Sequence, residues 1–203
     1  MSLPTIEMRH RDVSAPAHEL TVCLALEDLD GAYTTMLIEG RHRTELGPLS
    51  ERPYTLSDSV VYLASIGGQV WFNDPQNQER LDRCQGIYQR LGQSAVVSTL
   101  ESDFTILRRR PAAANGVYVN MKATNAFATR MVAVSTAENQ SEESIFGMPP
   151  YITVTDVIST LAHGGLEAYC RGPLQESARK MILERFIGHN MQLLARADST
   201  ELA

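Results

Sequence analysis

Three cysteines in 203 residues, Cys23, Cys84 and Cys170, are too few and too scattered for a disulfide scaffold. No two of them form a Cys-x2-Cys pair, so a zinc finger is excluded and reduced thiols are expected. Apolar runs are also short. None approaches the roughly 18 residues of a membrane span, and the opening MSLPTIEMRHRDV lacks the apolar stretch of a signal peptide. A soluble protein of the cytoplasm or another intracellular compartment, with no membrane partner, is the expectation. Neither G-x-G-x-x-G nor G-x-x-x-x-G-K-[ST] occurs. His10, His18, His42 and His189 fall in no H-E-x-x-H or similar spacing, so neither a cofactor nor a metal is expected. Positive charge is in deficit, with 18 Lys and Arg against 24 Asp and Glu. The resulting net charge of -6 argues against an unaided binder of a phosphate backbone.

What is present suits one domain of α+β or α/β class, since 43% apolar residues in a chain of this length can bury a real core. Residues 1–18 read as an irregular lead-in, 19–136 as a mixed sheet with two helices, 137–150 as a linker or lid, and 151–203 as a helical region packed on the same domain. Alternating apolar positions predict a strand over 19–27, and β-branched and aromatic content predicts others at 33–39, 69–73, 94–100, 103–107, 117–121 and 127–135. A short helix from Ser57 is expected to stop at Gly67-Gly68, and one from Tyr151 at Gly164-Gly165.

The stretch from Asp74 to Gly92 contains the one catalytic-looking spacing, Cys84 six residues before Arg90, as in enzymes that attack phosphate with a thiolate. The same residues read as an amphipathic helix: Asp74 caps it, Pro75 fits its first turn, and Leu81, Cys84, Tyr88 and Leu91 share a face. Around that helix Cys84 and Arg90 point roughly 120° apart, which predicts a structural thiol instead of an anion cradle. His163 with Cys170 is a second nucleophile and base candidate, with Asp156 or Glu167 as orienter. The basic triplet Arg108, Arg109 and Arg110 is a candidate anion patch, the one place where nucleic acid stays open. Its simpler reading is a solvated strand end that discourages edge pairing.

The last helical pattern, 173–197, carries more apolar residues than one buried stripe needs. Ile182, Phe186 and Leu193 suffice to anchor it, which leaves Leu183, Ile187 and Leu194 as a second line for a partner. The functional expectation is therefore a non-catalytic interaction or assembly protein, a homo-oligomer that serves as a subunit of a larger particle such as a virion or phage structure. The alternative is a small cysteine-dependent hydrolase using Cys170 with His163, or a Cys84/Arg90 phosphatase-like enzyme; no small-molecule ligand is indicated.

Overall fold

The computed structural model describes residues 17–45, 54–109, 116–141 and 151–171. The described chain is an α+β fold in which helices dominate. Strand β1 (Ala17–Ala25) runs directly into α1 (Leu26–Glu45), and α2 (Leu56–Phe72) follows. A 3-10 turn (Pro75–Asn77) leads into α3 (Gln78–Tyr88), then α4 (Gln93–Arg109). Strand β2 (Gly116–Thr124), α5 (Asn125–Asn139) and α6 (Val154–Arg171) complete it.

The strands form one antiparallel pair in the register Leu20 to Met121, Val22 to Val119 and Leu24 to Val117. These residues make the inward face, and the opposite face carries the pairs Glu19 with Lys122, Thr21 with Asn120 and Cys23 with Tyr118. The free edge of β1 is closed by a helix. Thr155 and Ser159, one turn apart on α6, donate their hydroxyls to the carbonyls of Thr21 and Cys23, each at 2.5 Å. Those acceptors would otherwise be an open template for pairing. Helix α6 continues in the same direction along α1, where His163 meets Asp28 and Tyr169 donates to Glu39.

The closest packing in the fold is between α2 and α6. A Cβ on Gly67 would collide with the carbonyl of Leu161, and one on Gly165 with the carbonyl of Leu63. The glycines therefore let two backbones touch, and this corrects the expectation that they end helices: α2 runs through Gly67-Gly68 and α6 through Gly164-Gly165. The expected strand over 69–73 disappears with that boundary, since those residues close α2 or follow it.

Four further expected strands, at 33–39, 94–100, 103–107 and 127–135, lie in three helices for identifiable reasons. In α1, Thr34 and Thr35 are fully buried and turn their hydroxyls back to the carbonyls of Asp30 and Gly31, which removes the usual objection to β-branched polar residues in a helix. In α4, Thr99 and Thr105 do the same toward Ala95 and Glu101. In α5, Phe127, Ala128, Met131, Val132, Val134 and Ala137 are all buried, so the helix is apolar nearly all round and has no amphipathic period to read.

Helix starts follow local chemistry. Thr55, not Ser57, caps α2, in a reciprocal box with Asp58. Asp74 caps the 3-10 turn and Pro75 occupies its first position, whereas the sequence reading assigns both to the helix itself; α3 begins at Gln78 and Asn77 makes no side-chain cap. Thr153 and Asp156 form a second box at α6, and the buried Asp103 carboxylate of α4 accepts a further hydrogen bond from the Val154 amide at 2.7 Å.

Candidate functional site

The residues singled out by spacing do not converge. Cys84 is buried on α3 as part of the hydrophobic core, and its thiol is pushed up to about 11. Burial is the main cause, and the nearby Glu138 carboxylate adds to it, against small opposing effects from Arg83 and Arg80. A thiol so placed stays protonated at neutral pH and is a poor nucleophile. Arg90 lies just past the end of α3 and donates its Nε to the Gly86 carbonyl at 2.8 Å, so the two side chains do not form a cradle.

His163 and Cys170 lie seven residues apart on the uninterrupted α6, which separates them by about 10 Å along the axis, beyond hydrogen-bond reach. His163 is instead committed to α1. Its Nδ1 sits 2.8 Å from the Asp28 carboxylate, and Glu167 lies 3.9 Å from its other nitrogen. That hydrogen bond raises the histidine pKa, partial burial opposes the rise, and the charges of Asp28, Glu167 and Glu27 reinforce it. Cys23, on the outer face of the sheet, has its thiol raised by burial and by Asp156. Among the described residues no group of three His, Cys, Asp or Glu side chains is placed to hold a metal ion, and none of the described helices is long and apolar enough to cross a membrane.

Arg108 and Arg109 occupy the last turn of α4, not a strand end, where their charge complements the helix dipole. The Arg108 guanidinium stands 5.9 Å from the centre of the Phe104 ring. Arg110 lies outside the described residues, as do Leu183, Ile187 and Leu194.

A concavity of about 1090 Å³ lies elsewhere, between α4 and one end of the strand pair. One wall is the exposed line of α4, with Val97, Leu100, Glu101, Phe104 and Leu107. The other is built from Glu19, Thr21, Asn120 and Lys122, and the starts of α2 and α6 contribute Thr55 and Val154. His18 is fixed at the rim by a 2.9 Å contact from Nε2 to the Asn125 side chain. Burial, the Asp103 charge and a hydrogen bond with Asp103 raise the pKa of the Tyr151 hydroxyl. Thr21 donates to Asn120 across the sheet at 3.0 Å, which orients the polar wall.

Comparison of the chain with family models, with curated proteins and with solved structures gives no match. The chemistry of the groove therefore has to be read from its walls. It pairs half-exposed aromatic and aliphatic side chains with carboxylates and one lysine, a lining suited to a ligand that is apolar on one side and charged on the other. Sequence reasoning missed it because its parts come from five separated stretches. The one local signal was the i, i+7 pair Val97 and Phe104 on α4, which a strand reading places on opposite faces.

Proposed function

We propose that the chain is a non-catalytic interaction or assembly protein that self-associates. The observation that carries this reading is an exposed apolar line on α1. Leu26, Tyr33 and Leu37 are 41%, 41% and 39% exposed. They fall within about 40° of one another around the helix and point away from Asp28, Gly31 and Glu39, which meet α6. Three large apolar groups in a row, on the side of α1 opposite its buried residues Asp28, Gly31, Ala32, Thr34 and Thr35, are the kind of patch that marks a partner site. Completing their burial contributes about 1 kcal/mol each before association entropy is subtracted. This adds a second apolar surface to the Leu183, Ile187 and Leu194 line inferred from sequence, which lies outside the described residues.

The hydrolase reading is supported less well, because Cys84 is buried and Cys170 stands a helical repeat away from His163. Sedimentation velocity over a concentration series tests the proposal. Self-association at tens of micromolar is expected, with dissociation in Leu26→Glu/Leu37→Lys or in Leu183→Glu/Ile187→Lys and unchanged helical content. A concentration-independent monomer would remove the proposal.

A further inference from the structure

The two strands present unequal edges. Helix α6 covers the outer edge of β1, where the hydroxyls of Thr155 and Ser159 donate to the carbonyls of Thr21 and Cys23, so those carbonyls point away from β2. In an antiparallel pair a residue and its partner turn their backbone groups either toward each other or both away. Asn120 and Tyr118, opposite Thr21 and Cys23, therefore direct N–H and C=O to the outer edge of β2, and Lys122 follows at the same period of two. Side chains approach most closely at such positions, as the 3.0 Å contact of Thr21 with Asn120 shows. Among the described residues no hydrogen bond reaches the backbone of Tyr118 or Asn120 on that edge. Burial agrees: Val22 and Leu24 are 0% and 1% exposed, whereas their partners Val119 and Val117 are half-buried, and Tyr118 is 45% exposed.

An open strand of nine residues is a template for a further strand, and its own sequence fits it. Laid antiparallel against a second β2 with Asn120 opposite Asn120, all nine residues overlap, and the outward backbone groups of Tyr118, Asn120 and Lys122 meet their counterparts. Tyr118 then stands opposite the second copy's Lys122, a cation beside an aromatic ring on each side of the two-fold axis. Glu19 flanks Lys122 within its own chain and Glu101 shares its groove, so the ring adds to carboxylates that already favour its charge. On the inner face, half-buried Val117 and Val119 stand opposite the second copy's Ala123 and Met121. We propose that β2 is the pairing edge for a second copy of this chain, joining two strand pairs into one four-stranded antiparallel sheet with α6 along both outer strands. The two-fold axis at Asn120 closes the sheet, since each β1 is already covered. This contact deepens the self-association proposed above and rests on that reading.

Amide exchange read residue by residue, on the samples used for sedimentation, tests the pairing. The amides of Val117, Val119 and Met121 face β1 and should be protected at every concentration. Those of Tyr118, Asn120 and Lys122 should slow by at least about tenfold as the chain associates, and lose that protection on dilution. Crosslinking reads the register. With Cys23→Ser removing a neighbouring thiol, Asn120→Cys should form a disulfide-linked dimer under mild oxidation at least about tenfold faster than Lys122→Cys. Residue 120 faces its own copy at about 5.5 Å, whereas the two copies of residue 122 stand four residues out of register. Both positions are exposed, so the fold should survive, as unchanged protection of Val117 and Val119 would confirm. Association without slowed exchange at Asn120 would overturn the pairing and leave self-association standing. So would protection at every concentration, which would assign the edge to the chain's own residues. Equal crosslinking at 120 and 122 would also overturn it. A monomer at every concentration would remove self-association and the pairing together.

Discussion

The contact of α2 with α6 and the groove beside α4 lie at two extremes of packing in one small fold. At the first, two helix backbones touch through Gly67 and Gly165, with no room for a single methyl group. At the second, α4 stands off the strand pair and leaves about 1090 Å³ between them, bridged at its inner end by the hydrogen bond from the Val154 amide to Asp103. Steric exclusion fixes the first region, so it tolerates almost no change of volume. A few directed polar contacts hold the second, so it tolerates changes in side-chain size but not the loss of an acceptor.

The sharpest way to break this comparison is within one dipeptide. Gly165→Ala forces a Cβ onto the Leu63 carbonyl and should cost about 3 kcal/mol or more, because backbone cannot move aside as a side chain end can. Gly164→Ala meets nothing within 4 Å and should stabilise the helix by about 0.5 to 1 kcal/mol. Urea denaturation of both variants checks the opposite signs. Equal effects at the two positions would mean that the helices are not in backbone contact.

On the groove side, Asp103→Ala removes the acceptor that α4 presents to the start of α6. The Thr153 and Asp156 box remains, so the expected loss is about 1 to 3 kcal/mol and not unfolding. Amide exchange at Val154 is the direct readout and should accelerate in the variant. An unchanged rate would show that the carboxylate does not hold the helix end.

The two regions also differ in how far the sequence reveals them. Strand β1, strand β2 and the capped start of the α3 region were legible, because alternation and an Asp-Pro cap are local signals. The close helix contact was hidden by its own chemistry: glycines that permit backbone approach look the same in sequence as glycines that stop a helix. Helices α1 and α4 were masked by threonines whose hydroxyls bond back along the helix, and α5 by apolar burial on nearly every side. The groove was not legible at all, since Glu19, Phe104, Lys122 and Val154 become neighbours only after the helices are correctly assigned. The burial of Cys84 was legible from the apolar face it shares with Leu81 and Leu91, although Tyr88 on the same expected face is exposed.

That reading carries the next prediction. Cys84→Ala should cost about 1 to 2 kcal/mol through lost packing and leave self-association unchanged. Native Cys84 should react with iodoacetamide only on the timescale of unfolding, since its thiol is raised to about 11. Rapid alkylation at pH 6.5 would place the sulfur in an open, electropositive setting and revive the nucleophile reading.

The smallest expected effect lies at His163, on the same helix as Gly165 but at its more open margin. The Asp28 hydrogen bond raises the folded-state pKa of His163 above its unfolded value, so the pair contributes stability that is complete below about pH 6.5 and lost as pH rises through the folded pKa. His163 is more than half exposed, so solvent screening limits the contribution to roughly 1 kcal/mol or less. His163→Gln should therefore flatten the part of the stability profile that declines as pH rises above about 6.5, and lower stability more at pH 6 than at pH 8. Thermal melts of the two proteins across that range decide it. If the variant loses as much stability at pH 8 as at pH 6, the side chain contributes by packing against α1 and not by its charge, and the margin of the α1 and α6 contact is governed by the same steric fit as its centre.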